Sequence, residues 1–223
     1  MKKKIVAIIP AKNNSLRVTR KNTRKFNKVS LVEIAIKTAI KSKLINEVVV
    51  TSESKEILNL KKKYPIKFIE RPKKLSNNTI MPDASIIHCY KKIKKKYDYI
   101  VMLQPTSPLR TANDVDRAIK KIVLEKSDSL LSVFESHSFL WKKKKNNSIP
   151  INYHYLKRPR SQNMSQFQEN GAIYITKPKI YFLNKNRLGG KISLFPMKFW
   201  NSFDINDLED FRYVERIYKL QKR

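Results

Sequence analysis

Glycine is nearly missing from this 223-residue chain: it has three, Gly171, Gly189 and Gly190, and none earlier. That excludes a Walker A loop and a G-x-G-x-x-G fingerprint, since both need glycine to let backbone approach phosphate. A single cysteine, Cys89, excludes a disulfide framework and any cysteine-based zinc or iron–sulfur site. The three histidines, His88, His137 and His154, lack the H-x-x-x-H spacing of a histidine zinc site. Long apolar runs are also missing. Lys2–Lys4 followed by Ile5–Ile9 imitates the start of a signal peptide, but Pro10 breaks the run, Lys12 ends it, and no small-residue cleavage site follows. The stretch reads as a buried first strand, and the chain as a soluble, cytoplasmic protein with no membrane partner.

Acids are scarce as well: 18 Asp+Glu against 49 Lys+Arg give a formal charge of +31. Most of the cations are lysines in short runs, such as Lys61–Lys63, Lys91–Lys96 broken by Ile93, and Lys142–Lys145. One reading is a compositional bias that fills solvated positions with lysine. The other is a nucleic-acid or anionic-membrane surface. Against the second, the runs are scattered, mostly free of interleaved aromatics, and accompanied by no helix-turn-helix, zinc-finger or RNA-recognition signature. The length suits one domain with a modest lobe, and 41% hydrophobic residues suffice for a core.

Along the chain, apolar β-rich runs alternate with amphipathic stretches. Strands are expected at Ile5–Ala11, Val48–Thr51, Ile66–Ile69, Tyr99–Leu103, Ser129–Phe134 and Ala172–Thr176. Helices are expected at Leu31–Lys43 behind a Ser30 cap, at Ser52–Lys63 capped by Ser52 or Ser54, at Asp83–Lys95, at Thr111–Lys126 capped by Thr111 or Asn113, and at about 206–220. Cys89 falls on an apolar stripe with Ile86 and Ile93 and reads as core. The alternation is that of an α/β fold with a mostly parallel sheet. A polar stretch at about 136–170 interrupts it, and residues about 136–166 read as an inserted lobe.

In such sheets ligands lie beyond the carboxyl ends of the strands, so the loops there are the places to search. Lys12–Asn22 places Lys12, Arg17, Arg20 and Lys21 among Asn13, Asn14, Ser15 and Asn22 directly after the first strand. It suits a polyphosphate cradle and equally a solvated basic loop. Gln104-Pro105-Thr106-Ser107-Pro108-Leu109-Arg110 is stiffened by two prolines and offers convergent polar groups, either to position a ligand or as a rigid turn ahead of a helix. Asp204, Asp207, Glu209 and Asp210 stand out in an acid-poor chain. The last three read as first-turn acids favoured by the terminal helix dipole, which leaves Asp204 as the candidate ligand of a hard cation.

Together these segments resemble the N-acylneuraminate cytidylyltransferase (CMP-sialic-acid synthetase) family. The resemblance runs from Ile5 to about Phe211. It is carried by Ile8–Lys12 with Ser15 and Arg20–Asn22, by Arg71-Pro72, by Leu103–Thr111, by Arg158–Arg160, by Glu169–Ile175 and by Asp204–Asn206. The Leu-Gln-Pro-Thr-Ser-Pro-Leu-Arg string is the most specific. The resemblance implies a Rossmann-like nucleotide-diphosphosugar transferase fold, with an extended lobe that pairs two copies. It implies transfer of CMP from CTP to a nine-carbon 2-keto acid sugar with release of pyrophosphate, aided by Mg²⁺ or Mn²⁺. By position, Lys12 and Lys21 would serve catalysis. Lys12, Ser15, Lys21, Asn22, Arg71 and Thr79 would hold the nucleotide. Gln104, Thr106, Arg160 and Asn170 would hold the sugar, with Arg160 facing its carboxylate, and Asp204 and Asn206 the metal.

The chain departs from the family pattern at several places. Lys12 replaces an Arg, Asn13-Asn14 a Gly-Gly pair, and Leu16 a frequent Lys. Asn78 replaces an Asp, Met81-Pro82-Asp83 a Ser-rich helix start, and Asn206 the second metal Asp. Gln168-Glu169 stands where sialic-acid enzymes carry an Arg. The departures leave the acceptor open among sialic, legionaminic, pseudaminic and related acids. Two other readings stand beside this one: a nucleotide- or sugar-binding protein on the same fold with impaired catalysis, and a basic nucleic-acid-binding protein.

Overall fold

The computed structural model describes residues 3–13, 17–77 and 79–221. The strands are β1 (Ile5–Pro10), β2 (Lys25–Phe26), β3 (Val29–Ser30), β4 (Glu47–Ser52), β5 (Lys67–Glu70), β6 (Tyr99–Leu103), β7 (Ser129–Ser136), β8 (Trp141–Lys144), β9 (Asn147–Pro150), β10 (Gln166–Thr176) and β11 (Ile192–Pro196). The helices are α1 (Leu31–Lys41), α2 (Lys55–Leu58), α3 (Pro82–Lys92), α4 (Ala112–Leu124), α5 (Pro178–Asn184) and α6 (Leu208–Leu220). Seven strands form one sheet in the order β11-β7-β10-β6-β1-β4-β5. All run the same way except β10, which is antiparallel to both β6 and β7. Among the described residues no helix is long and apolar enough to cross a membrane.

The expected α/β architecture is present. β1 is apolar without alternation because both of its faces are covered. Ile5, Ala7 and Ile9 pack with the α1 and α4 residues Val32, Ala35, Val115 and Ile119, while Val6 and Ile8 pack with Ile86 and Cys89 of α3. A third cluster joins Phe26, Leu31, Leu109, Ile205, Phe211 and Tyr218. It seats α6 and the β2–β3 hairpin against the body, and it fixes the segment that carries Asp204.

Ser30 and Thr111 cap α1 and α4 through reciprocal capping boxes, and Asp207 with Asp210 caps α6 in the same way. Expected elements and structure part in several places. The helix expected over Ser52–Lys63 is one α-turn, α2, followed by a 3-10 segment at Asn59–Lys62, and Ser52 belongs to β4. α3 begins on Pro82, whose missing N–H costs nothing in a first turn. β10 extends back to Gln166, and α5, β11 and the two hairpins add to the expected set. Residues 136–166 carry the exposed β8–β9 hairpin and two short 3-10 turns.

The α1 capping box does more than end a helix. The Glu33 carboxylate accepts from the Ser30 N–H and hydroxyl, from Lys63 Nζ at 2.7 Å and from the Tyr64 hydroxyl at 3.0 Å. Burial raises its pKa, but these donors outweigh burial and hold it at about 2. A carboxylate depressed in the fold stabilises above its unfolded value of about 4.3 and loses that contribution as pH falls towards 2. Glu33→Gln should therefore lower stability near neutral pH by about 2 kcal/mol. In urea denaturation across a pH series, the gap from wild type should narrow below about pH 4. A gap that did not change with pH would show that packing, not charge, sets the effect.

Candidate active site

The carboxyl ends of β1, β5 and β6 open onto a cavity of about 290 Å³, lined by Lys12, Lys21, Asn22, Arg71, Gln104 and Thr106 among others. Beside it, between the first half of β10 and the segment 199–206, lies a wider cavity of about 580 Å³. The two share Gln104, Asp204 and Asn206. Lys12, Lys21 and Asn22, Arg71, Gln104 and Thr106, and Asp204 and Asn206 thus converge from four distant stretches of chain. Ser15, with Asn14, Leu16 and Asn78, lies outside the described residues.

The first cavity is built by a folded loop. Asn22, buried, donates from Nδ2 to the Lys12 carbonyl at 2.7 Å and clips the ends of the loop after β1 together. Its Oδ1 is buried with no hydrogen-bond partner among the described residues. Arg20 turns the chain with φ 55°. Lys21 is half-buried rather than solvated, and its Nζ donates to the Ile205 carbonyl at 2.6 Å. Burial lowers the Lys21 pKa, Asp204 opposes that shift, and Lys12 and Arg17 reinforce it.

Across the cavity, buried Arg71 donates from Nε and Nη2 to Glu53 at 3.2 and 2.9 Å and from Nε to the Ser76 hydroxyl. Glu53 also accepts from the Asn13 N–H at 2.8 Å, so one carboxylate ties the loop after β1 to the β5 end. Burial raises the Glu53 pKa, and the hydrogen bonds from Ser76 and Asn13 with the Arg71 charge bring it below the ordinary carboxylate value. Sequence reasoning missed Glu53; its signal was an acid just past a strand end in an acid-poor chain.

Asp204 sits where the cavities meet. Burial raises its pKa, opposed by Thr106, Lys21 and Ser107. Its Oδ1 accepts from the Ser107 hydroxyl at 3.3 Å, and the Ile205 N–H donates to the Thr106 carbonyl at 2.9 Å. Asn206 is exposed beside it, its N–H on Asp210. Among the described residues no three acids, histidines or cysteines cluster as a ready metal cage.

Arg110 turns inward from the Pro-rich loop. It is buried, and its Nη1 donates to the Gln104 and Ala172 carbonyls, both at 2.8 Å, stapling that loop to β10. Burial lowers its pKa to about 10, against Asp204 and Asp114, so it stays charged at neutral pH.

In the second cavity Asn170 lines the wall, but its side chain is engaged inward. Oδ1 accepts from the Ser132 hydroxyl and the Ala172 N–H, and Nδ2 donates to the Ser202 hydroxyl. It shapes the cavity through these bonds. Thr79 and Arg160 are exposed and line neither cavity. Arg160 stands in the 136–166 segment, and its neighbour Arg158 stacks over the Phe139 ring at 4.1 Å.

The chain has relatives among known proteins. Over 233 residues the chain is 28% identical to an N-acylneuraminate cytidylyltransferase of Escherichia coli O18:K1:H7, covering all of this chain but 54% of that protein. It is 26% identical to a pseudaminic acid cytidylyltransferase of Campylobacter jejuni, covering 97% of each. In three dimensions it matches a CMP:2-keto-3-deoxy-manno-octonic acid synthetase complexed with CTP at TM-score 0.74, with 15% identity over 98% of this chain and 99% of that one, which is a likeness of fold. A cytidylyltransferase family profile matches residues 6–222, and the chain belongs to the cytidylyltransferase family.

Proposed function

We propose that this chain transfers CMP from CTP to a nine-carbon 2-keto acid sugar of the sialic, legionaminic or pseudaminic type, releasing pyrophosphate. The observation that carries the reading is the meeting of two unlike cavities at Asp204, one lined by Lys12, Lys21 and Arg71, the other by no Lys or Arg among the described residues. The full-length likeness to a pseudaminic acid cytidylyltransferase supports the choice of acceptor. The first cavity takes the nucleotide. Lys12 and Lys21 neutralise phosphate oxygens, and the buried Asn22 Oδ1 and Arg71 form the wall behind them. The second cavity takes the sugar, with Gln104 at the border.

The anomeric hydroxyl attacks the α-phosphorus, the bond to the bridging oxygen breaks, and pyrophosphate departs. The catalytic contribution of these residues is positioning and charge stabilisation of the leaving group. Asp204 and the Asn206 side-chain oxygen are hard donors at the junction and suit Mg²⁺ or Mn²⁺, which needs few protein carboxylates when phosphates complete its shell. Such an ion, when bound, would draw negative charge from the triphosphate.

Among the described residues the walls of the second cavity offer a sugar carboxylate no Lys or Arg. In our reading Arg160 supplies the cation from a second copy, since residues 136–166 expose Trp141, Ile151, Tyr155 and Leu156 as well as Arg160 and form the natural surface for pairing. The protein would then be a homodimer, acting in the cytoplasm, where CTP is made.

The test is pyrophosphate release with CTP, ATP, GTP or UTP against a panel of nine-carbon keto acids. CTP with at least one acid should turn over fastest. Nucleotide binding without turnover across the panel would favour the impaired-enzyme reading, and GTP outpacing CTP would overturn the nucleotide assignment.

A further inference from the structure

The second cavity is unusual for this chain. In a protein with 49 Lys+Arg, its lining carries two carboxylates, Glu169 and Asp204, and no Lys or Arg among the described residues. Asp204 lies at the junction, whereas Glu169 lies on β10. Glu169 and Tyr174 are five apart, which in a regular strand would send them to opposite faces. The β10–β7 register shifts between these two residues, and Gly171 takes φ +71° inside the interval. The bulge changes the parity and turns both side chains into the cavity, where the Tyr174 hydroxyl donates to Glu169 Oε1.

Tyr174 is itself held from behind. The Arg187 guanidinium lies over its ring, 4.8 Å from the centroid. Arg187 is locked in turn by a two-pronged pair with Asp83, Nε to Oδ1 at 3.1 Å and Nη2 to Oδ2 at 2.5 Å, both residues buried. Asp83 belongs to the first turn of α3, whose neighbours Met81 and Pro82 line the other cavity. A chain of contacts from α3 thus ends in a carboxylate presented to the second cavity, whose lining also holds Phe134, Phe199 and Phe203.

We propose that Glu169 is a specificity-determining residue for the acceptor, accepting a hydrogen bond from a hydroxyl or amide N–H on the sugar's substituents, with Tyr174, Arg187 and Asp83 as its positioning residues. This rests on the reading of the second cavity as the acceptor site. A carboxylate there welcomes a neutral donor and repels an anion. The acidic sugar is thereby oriented with its own carboxylate away from β10 and its donor-bearing substituents towards it. Glu169 acts through an ordinary charge-assisted hydrogen bond, and no bond to phosphorus involves it.

The experiment is steady-state kinetics on the full chain with its best acceptor from the panel. Glu169→Gln should raise the acceptor KM about tenfold or more, the scale of a hydrogen bond to a charged group, while the CTP KM stays within about twofold. Tyr174→Phe should raise it less, and adding Tyr174→Phe to Glu169→Gln should change nothing further, because Tyr174 acts through Glu169. Arg187→Lys should fall between wild type and Tyr174→Phe. Among acceptor analogues lacking one hydroxyl or amide N–H at a time, one should lose that same factor with wild type and almost none with Glu169→Gln.

An unchanged acceptor KM in Glu169→Gln, an equal rise in both KM values, or the absence of any coupled analogue would overturn the assignment while leaving the cytidylyl transfer standing. A wild-type protein that turned over no acid of the panel would instead remove the reading on which the assignment rests, and the assignment with it.

Discussion

Lys21→Ala should cut kcat for pyrophosphate release by roughly 10²–10³, the scale of losing one fixed donor to developing charge. The expectation comes from where the ammonium sits. It is half-buried between the loop after β1 and the Asp204–Ile205 segment, and its hydrogen bond to the Ile205 carbonyl at 2.6 Å holds it at the mouth of the basic cavity. A lysine placed in this way loses less freedom on meeting a phosphate than a solvated one. The loop does not depend on the side chain for its shape. Backbone bonds from Lys21 to Val18 and from Thr23 and Arg24 to Arg20 define the turn, and the Asn22–Lys12 bond closes it. The variant should therefore melt within a few degrees of wild type, and Lys21→Arg should recover part of the rate. Wild-type turnover in Lys21→Ala would end the phosphate assignment for this loop.

Activity should also require Mg²⁺ or Mn²⁺, and Asp204→Ala should lower it about a hundredfold or more, since an ion polarising the triphosphate contributes several kcal/mol to the barrier. Asp204 is the one acid at the junction of the cavities in a chain that has 18 in all. Its place is secured from both sides by the Ser107 hydroxyl and by the buried Ile205. Alanine would also strip Ser107 of its acceptor. Asp204→Asn keeps an acceptor while removing the charge, so it separates the two effects. It should shift half-saturation by Mg²⁺ upward about tenfold or more while leaving the melting temperature close to that of wild type. Full activity in excess chelator would refute the metal requirement.

Which parts of this were legible in the sequence follows from the forces involved. β1 and β6 announced themselves because strands covered on both faces need unbroken apolar runs, and Tyr99–Leu103 was read to the residue. Ser30 and Thr111 marked helix starts through local hydrogen bonding that leaves a local signature. The first half of β10 was hidden because Gln166–Glu169 line or border a cavity and carry no apolar alternation. β11 was hidden for another reason: at the sheet edge it turns Ile192 and Leu194 outward and buries Ser193 with Phe195, so its apolar and its buried positions do not coincide.

In the site, the residues read from strand-end loops and from the family resemblance largely converge: Lys12, Lys21, Asn22, Arg71, Gln104, Thr106, Asp204 and Asn206 all line the first cavity. The supports behind them were not legible. Glu53 with Arg71, Arg110 with Ala172, and Asp83 with Arg187 are partners 18, 62 and 104 positions apart, a pairing that only the folded sheet creates. Arg160 and Thr79 carry motif signals, yet both are exposed and line neither cavity.

The order of the sheet has a consequence for how this protein can diverge. The basic cavity takes nearly all its wall from the chain up to Thr106, and the other cavity, apart from Gln104, takes its wall from Phe134 onwards, with Asp204 and Asn206 common to both. The two cavities are therefore written in successive stretches of one chain and joined at three shared lining residues, Gln104, Asp204 and Asn206. If the two cavities are used as proposed, drift or deliberate exchange of the later stretch would move the protein among sugar substrates while the stretch that builds the basic cavity is inherited untouched. β11, at the sheet's far border, gives such exchanges room to be absorbed without disturbing the parallel strands on which the basic cavity is built.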